Sequence, residues 1–288
     1  MVRNWLAWSV AACAAITVVV LVARNQSETS RCPDGLASVG PRCCGQGQIV
    51  QNGHCAGRAT GCAVGMKLLE VQGQAYCVHA EKRVVVPGGV LTLSPSDWEA
   101  EGKVTPRQVA VSSFALDDSE VTWGRYLECV RQGPCRSMAL SEPNPVEPGL
   151  PITGVLPDQA DQICAALGGR LPSGDEWVFA AAGPTARRFP WGATGLVCRR
   201  AVFGLAEGPC AQAATGPELA GARPDGATEL GILDLAGNVA EWTREPNGFR
   251  ARGGSFRSTV AGQLKSWASL ATTESASDIG FRCAYDQR

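Results

Sequence analysis

The sequence predicts a loop-rich fold in which short strands and short helices alternate, rather than a helical bundle. Glycine and proline account for 34 and 18 of the 288 residues, and both residue types interrupt regular elements. Apolar positions with the helical period occur in short runs, and segments typical of strands lie around them. The length allows one large domain and a smaller one.

The overall charge argues against nucleic acid as a partner. The chain has 26 basic and 27 acidic residues, which gives a formal net charge of −1, and no basic cluster stands out. Binding to nucleic acid depends on a concentrated positive surface. We therefore expect no nucleic-acid partner.

The N-terminal segment predicts a membrane anchor. The run from Trp5 to Ala23 contains 19 uncharged residues between two arginines, which is long enough to span a bilayer core as a helix. We interpret residues 1–24 as an uncleaved, single-pass signal anchor and 25–31 as a polar linker. This places the rest of the chain in the periplasm, on the outer face of a bacterial inner membrane. A secreted form and a lipoprotein processed at Cys13 stay open as alternatives.

The cysteines indicate an oxidising compartment, because twelve of the thirteen follow the predicted anchor. Residues 32–79 form a Gly- and Cys-rich segment that is too short to bury much core, so we expect cross-links to hold it. Its six cysteines allow fifteen disulfide pairings, and the segment lacks the paired spacings of a structural zinc site. They are Cys32, Cys43, Cys44, Cys55, Cys62 and Cys77. We expect a spacer or a small binding module here.

The main domain, residues 80–288, opens with candidate strands. Val84–Val86 and Val90–Leu93 are rich in β-branched and aliphatic residues and are joined by a Pro-Gly-Gly turn. Val109–Phe114 predicts one further strand. The domain is therefore expected to begin with β structure.

Three helices follow, each predicted from a cap and from apolar spacing. Thr122 caps the first, and the second begins at Asp158 and stops at a pair of glycines. Ser173 forms a capping box with Glu176 at the start of the third. All three helices are short, which agrees with a loop-rich fold.

The middle of the domain, residues 191–231, lacks strong periodicity and is expected to be an irregular surface loop. Cys198 and Cys210 lie close enough in sequence to pin it with a disulfide. Cys129 and Cys135 form another pairing that we propose from proximity alone.

The stretch Gly231–Trp242 predicts a short apolar strand and then a sharp turn at Gly237-Asn238, since both residues tolerate positive φ. The inward carbonyls of such a turn, together with the Glu241 carboxylate, suit a hard cation such as calcium. The alternative is a buried turn in which Glu241 satisfies nearby amides.

Five motifs, taken in order, resemble those of the formylglycine-generating enzyme family, also called the sulfatase-modifying-factor domain. The motifs are Arg170-Leu-Pro-Ser-Gly-Asp-Glu-Trp177, Phe189-Pro-Trp-Gly192, Gly231-Ile-Leu-Asp-Leu-Ala-Gly-Asn-Val-Ala-Glu-Trp242, Arg252-Gly-Gly-Ser-Phe256 and Gly280-Phe-Arg-Cys-Ala284. The resemblance extends over roughly Val84 to Tyr285. It implies a compact, irregular α+β fold related to C-type lectins, and a disulfide between Cys164 and Cys283.

The resemblance also implies where the chemistry belongs. Enzymes of this family convert a client cysteine to formylglycine with oxygen and a copper(I) ion that two cysteines hold. The matching positions in this chain are Ser258 and Gln263, and a hydroxyl or a neutral amide is a poor ligand for a soft ion. We therefore expect neither copper nor the formylglycine reaction by the family mechanism. Ser255 matches an active-site serine, and Trp242 matches a tryptophan of the same cleft.

One calcium ion is expected by the same resemblance. The segment that matches the family's second calcium site contributes Gly237, Asn238, Val239 and Glu241. The family's other calcium site has no clear match in this chain.

Two functions stay open at this point. Because the motifs that specify the fold are retained without the copper-binding thiols, the first is a non-catalytic, membrane-anchored protein that binds an exported polypeptide or another cell-envelope ligand. The second is an enzyme that oxidatively modifies an exported protein or precursor, with Ser255 and Trp242 lining an altered active site. An iron site built from histidines is excluded in the main domain, because no histidine follows His79.

Overall fold

A computed structural model of the chain describes residues 38–39, 42–51, 54–71, 73–93, 106–138, 140, 147–195, 198–205, 207–208, 210–211 and 216–287. The predicted signal anchor and linker lie outside the described residues. Within the described ranges, no helix is both long enough and apolar enough to cross a bilayer.

The chain divides into two compact units, Met1–Ala63 and Val64–Arg288. The first contains two antiparallel pairs: β1 (Ser38–Val39) with β2 (Arg42–Cys43), and β3 (Ile49–Gln51) with β4 (His54–Ala56). Cys44 is joined to Cys55, which is one of the pairings that the sequence left open. The hairpin that ends at His79, grouped above with the Cys-rich segment, belongs to the second unit.

In its described residues, the second unit mixes short strands with three short α-helices, as expected of an irregular α+β fold. The helices are α1 (Trp123–Gln132), α2 (Pro157–Ala166) and α3 (Gly174–Ala182). The strands are β5 (Met66–Val71), β6 (Gln74–His79), β7 (Arg83–Val86), β8 (Gly89–Thr92), β9 (Gln108–Val111), β10 (Phe114–Asp117), β11 (Ala240–Glu245), β12 (Gly248–Arg252), β13 (Ser269–Leu270), β14 (Ile279–Gly280) and β15 (Ala284–Asp286).

Two larger sheets, one hairpin and one further two-stranded sheet organise these strands. One sheet has the order β15–β10–β7 and is antiparallel throughout. The other has the order β13–β12–β11–β14, in which only the β11–β14 pair is parallel. The strands β5 and β6 form one separate hairpin, and β8 pairs with β9 in the other two-stranded sheet. The second sheet carries the candidate site described below.

The opening strands pair differently from the sequence-based expectation. The two predicted strands on either side of the Pro-Gly-Gly turn belong to different sheets, because β7 pairs with β10 whereas β8 pairs with β9. The single strand predicted for Val109–Phe114 is divided, with Ser112 and Ser113 exposed between β9 and β10. The division allows the two halves to pair with different partners, which no local pattern reveals.

All three predicted helices form, and α1 and α3 begin at the expected caps, whereas α2 lies between Leu156 and Leu167. The Thr122 hydroxyl accepts a hydrogen bond from the Arg125 amide, and Gly133 closes α1 in the left-handed conformation. Ser173 and Glu176 make the reciprocal bonds of a capping box. These contacts depend on residues within one turn, which explains why the sequence predicted them.

Two apolar clusters fill the space between helices and sheets. The first packs α1 and α2 against β11, with Trp123, Ile163 and Trp242 almost fully buried. The second packs α3 against β7, β8 and β10, and Trp177 and Phe179 lie within it.

A third cluster corrects the prediction of a surface loop for residues 191–231. Val202, Phe203 and Leu205 from this segment are buried, and they pack with Phe256 and Leu264. The predicted surface position is wrong for these apolar side chains, which are buried although the described part of the segment forms no α-helix or strand and only one short 3-10 helix, Pro224–Gly226. A periodicity test therefore has nothing to detect.

Disulfides join distant parts of the second unit. The structure contains all three of the pairings that were expected there: Cys129–Cys135, Cys164–Cys283 and Cys198–Cys210. The Cys164–Cys283 bond connects α2 to the chain just before β15, across 119 positions of sequence.

Candidate functional site

The site begins at the Gly-Gly-Ser turn that follows β12. Gly253 and Gly254 have φ values of 86° and 69°, which L-residues with a side chain rarely adopt. A Cβ atom on Gly254 would also lie 2.6 Å from the carbonyl oxygen of Gln263. Glycine is therefore required here, and the turn places Ser255 in the wall of a pocket.

The pocket has a volume of about 410 Å³. Its walls come from β11, β12, β13, the turn after β12 and the loop before β14. The lining residues are mostly small or carry hydroxyl groups: Ala240, Ala251, Gly254, Ser255, Arg257, Ser258, Gln263, Ala268, Ser269, Leu270, Thr272, Glu274, Ser275, Ala276, Asp278 and Ile279. Among the described lining residues there is no cysteine, histidine or aromatic ring. The pocket thus offers no soft metal ligand and no flat surface for stacking a sugar or a base.

Ser258 and Gln263 both line this pocket, but their side chains satisfy nearby backbone groups. The Ser258 hydroxyl accepts a hydrogen bond from the Ser255 amide at 3.0 Å. Gln263 Oε1 accepts from the amides of Thr259 and Val260 at 3.1 and 3.4 Å. At the two positions where the family resemblance implies copper-binding thiolates, this chain therefore stabilises the local turn and offers no fit for copper(I).

Ser255 also lies in the pocket wall, as the resemblance implied. Its hydroxyl donates to Asp278 Oδ2 at 2.7 Å and accepts from the Arg257 amide at 3.2 Å. The serine is therefore oriented by a carboxylate. Among the described residues, no histidine or lysine lies in the pocket to act as a base toward Ser255.

Trp242 is a core residue and does not line the pocket. Its side chain is fully buried in the first apolar cluster, and its indole N–H donates to the carbonyl of Val155 at 2.9 Å. Ala240, two residues earlier on β11, lies in the pocket wall instead. Because side chains alternate across a strand, Ala240 and Trp242 of β11 lie on the same face of the sheet. The small Ala240 side chain borders the pocket, whereas the large Trp242 side chain is packed into the core.

Glu241 is engaged in a buried ion pair. Arg282 donates to both carboxylate oxygens at 2.7 Å, and the Trp177 indole N–H donates to Oε2, also at 2.7 Å. Glu241 and Arg282 are 1% and 0% exposed. Burial by itself would lower the pKa of Arg282, but Glu241 raises it above its ordinary value. The guanidinium of Arg282 thus keeps its charge beside this carboxylate.

This arrangement does not fit the predicted calcium site. A cation would have to displace a buried guanidinium from Glu241. The Asn238 side-chain oxygen, another proposed ligand group, accepts from the Glu218 amide at 3.0 Å. Across the described ranges, no group of three or more Asp, Glu, His or Cys side chains is arranged to hold a metal. Gly237 and Asn238 do form the expected turn, with φ values of 89° and 58°.

Two further buried carboxyl groups lie beside this turn. Glu120 accepts from Asn238 Nδ2 at 3.0 Å, and Asp234 accepts from the Gly221 amide at 2.6 Å. Burial raises the pKa of Glu120 well above its usual range, and the nearby charges of Asp234 and Glu241 raise it further. The Glu120–Asp234 pair therefore binds a proton more readily than exposed carboxyl groups do.

The sequence did not identify Asp278 as a pocket residue, nor Arg282 as a buried residue. Asp278 reaches Ser255 from 23 positions away, and nothing in its local sequence indicates that contact. Arg282 belongs to the Gly-Phe-Arg-Cys motif, but only the fold shows that its partner is Glu241.

Comparisons with known proteins agree with this architecture. The family model described as "Sulfatase-modifying factor enzyme 1-like domain" matches residues 70–287. Two relatives share the name "Inactive C-alpha-formylglycine-generating enzyme 2". The protein from Mus musculus is 34% identical over a match that covers 72% of this chain and 87% of the relative. The one from Bos taurus is 29% identical, with coverage of 70% and 87%.

Among solved structures, "Structure of PvdO from Pseudomonas aeruginosa" is similar with a TM-score of 0.56. It is 19% identical, and the match covers 73% of this chain and 95% of that one. At this level of identity the likeness shows the shared fold alone. The family match extends over most of the chain, and it includes every motif that carried the resemblance. The chain therefore belongs to the sulfatase-modifying factor enzyme 1-like domain family.

Proposed function

We propose that this protein is a non-catalytic member of its family that captures an exported polypeptide in the pocket beside Ser255. The observation that carries the proposal is the pairing of a retained pocket with lost metal ligands. Ser258 and Gln263 line the pocket, yet each is committed to backbone amides. The names of the two relatives, which call them inactive, also support a role without catalysis.

The disulfides support export. Every cysteine whose side chain the structure describes is disulfide-bonded, ten in all. Disulfides of this density persist in oxidising compartments and are rare in the cytosol. With the apolar run at residues 5–23, they favour a protein anchored to the bacterial inner membrane with its folded part in the periplasm.

The shape and chemistry of the pocket favour a polypeptide over a glycan. Sugar sites commonly use an aromatic platform, and among its described lining residues this pocket has none. The adjacent strand β13 is at the edge of its sheet, so an extended chain can pair with it. A lectin-like fold alone does not argue for sugar binding.

The test combines an activity assay with a binding assay on the oxidised full-length chain. A cysteine-containing sulfatase-motif peptide is incubated with the protein, copper(I) and oxygen, and mass spectrometry follows conversion of cysteine to formylglycine. We expect no conversion above a control without protein. Conversion above that control would overturn the non-catalytic assignment.

Binding is measured separately, with a library of capped pentapeptides and saturation-transfer NMR. Ser269→Trp fills the pocket at an exposed lining position and should abolish binding. The matched control, Ser112→Trp, adds the same ring at an exposed turn between β9 and β10 and should leave binding unchanged. Equal binding by both variants would place the peptide elsewhere and refute the proposed site.

A further inference from the structure

The carboxylate of Asp278 is the most distinctive charge in the pocket. The side chain is half-buried in the wall, where Ser255 donates to its Oδ2 atom at 2.7 Å. The other oxygen, Oδ1, accepts no hydrogen bond from any described residue. The pocket therefore holds one oriented carboxylate oxygen that is available to a ligand.

Among the described residues, no cation of the chain neutralises this carboxylate. Arg257 lines the same pocket, but its guanidinium donates to the Ser277 hydroxyl at 3.1 Å and forms no ion pair with Asp278 in the described residues. Glu274, on the exposed part of the lining, adds a second carboxylate. Two carboxylates and one guanidinium thus face the pocket, which gives it a net charge of −1 from these three groups. A cationic ligand is favoured over an anionic one.

The way Asp278 is held distinguishes between cations. A guanidinium group binds best through two parallel hydrogen bonds to both oxygens of a carboxylate. Here the Ser255 hydroxyl takes one of the acceptor sites of Oδ2 and competes with a second donor there, whereas Oδ1 has no donor among the described residues. The less engaged oxygen, Oδ1, suits the compact ammonium group of lysine, which binds as a point charge.

The pocket walls suit the rest of a lysine side chain. Ala240, Ala251, Ala268 and Ala276 line the pocket, and their methyl groups can cover an aliphatic stem. The edge strand β13 lies beside them and can pair with an extended backbone. Together these features describe one occupant, a peptide segment in an extended conformation.

We propose that the pocket selects an extended peptide segment through a lysine ammonium group that binds Asp278 Oδ1. The inference rests on the proposed function, because it assumes that the pocket binds polypeptide. Asp278 is then the residue that determines specificity, and Ser255 positions it.

The test uses capped pentapeptides that differ only in the central residue, which is lysine, arginine, norleucine or glutamate. Binding to the oxidised full-length chain is measured by saturation-transfer NMR. The lysine peptide should bind about tenfold more tightly than the norleucine peptide, as expected for one charge-assisted hydrogen bond. Its affinity should fall as salt is added, because the contact is partly exposed.

Two variants locate the effect. Asp278→Asn keeps the shape of the side chain and removes its charge, so the lysine peptide should bind about as weakly as the norleucine peptide. Ser255→Ala removes the hydroxyl that competes for Oδ2, so the arginine peptide should gain on the lysine peptide. The comparison between lysine and norleucine on the unmodified chain does not depend on either variant folding.

The outcomes separate the two proposals. If peptides bind with no preference for lysine over norleucine, the inference about Asp278 is overturned while the proposed function stands. If none of the four peptides binds, and the pentapeptide library also fails, both are overturned. A preference for lysine that persists in Asp278→Asn would place the ammonium group on another residue and refute the assignment.

Discussion

At the residue scale, three buried carboxyl groups lie close to one guanidinium in the second unit. Glu241 pairs with Arg282, but Glu120 and Asp234, at 1% and 5% exposure, form no ion pair with an arginine or lysine among the described residues. Burying two uncompensated carboxylates side by side is costly, and holding a proton between them removes much of that cost. The pair therefore makes the stability of the fold depend on pH.

The sign of this dependence follows from the raised pKa of Glu120. A carboxyl group whose pKa is higher in the folded than in the unfolded chain stabilises the folded state. For Glu120 this contribution is full at pH values below its ordinary pKa of 4.5. This contribution is lost as the pH rises through the raised pKa. Asp234, whose pKa burial also raises, acts in the same direction. We therefore expect the contribution of this pair to the free energy of unfolding to be full below about pH 4 and to decline as the pH rises through the raised pKa values.

Glu120→Gln should flatten this decline, because the amide keeps an acceptor for Asn238 and a donor for Asp234 without titrating. Urea unfolding at a series of pH values measures the effect. The control Glu207→Gln removes one carboxylate from an exposed position and should keep the decline of the parent chain. A pH profile that Glu120→Gln leaves unchanged would contradict the shared proton.

At the scale of secondary-structure elements, the helices are fixed locally and the strands are fixed by their partners. α1 and α3 begin where their caps predict, because each cap bond joins residues within one turn. β9 and β10 separate at two exposed serines because their partners differ. Cross-links between elements should then contribute more when they close a longer stretch of chain, rising with the logarithm of its length.

Removing disulfides one at a time tests whether the bond that closes the longer loop contributes more stability. Replacing Cys164 and Cys283 by alanine opens a loop that spans 119 positions and should lower the free energy of unfolding by about 5 kcal/mol. Replacing Cys129 and Cys135 opens a span of 6 positions and should cost about 2 kcal/mol. Both bonds involve buried cysteines, so each pair serves as the control for the other. Equal losses in denaturant unfolding would show that loop closure is not what these bonds contribute.

At the scale of the whole molecule, one buried contact joins three parts of the second unit. Trp177 of α3 and Arg282, between β14 and β15, both donate to Glu241 of β11. The same carboxylate is the one that the family resemblance assigns to calcium. In this chain the Glu241 carboxylate instead joins α3 to β11 and to the segment between β14 and β15. Whether it binds calcium or Arg282 can be measured directly.

Calcium should leave the stability of the folded chain unchanged. A site saturated at about a hundred times its Kd would add about 2.7 kcal/mol and raise the Tm by several degrees. We expect the melting curves in calcium and in a calcium chelator to coincide, because Glu241 stays with Arg282. A rise in Tm with calcium that Glu241→Gln abolishes would show that the ion displaces the guanidinium.

The sequence by itself determined the helices and their caps, the turn at Gly237-Asn238, the local disulfides and, through ordered motifs, the family. It also identified the loss of copper ligands, because a missing thiol is visible without coordinates. Each of these depends on residues that are close in sequence or on the identity of one residue.

Only the tertiary structure decided which side chains share a space. It placed Trp242 in the core and Ala240 in the pocket wall, and it brought Asp278 to Ser255. It also paired Glu241 with Arg282 in a buried salt bridge. These contacts join positions that are far apart in the chain, and their energies come from burial and from the choice among competing partners. Neither quantity exists until the chain has folded.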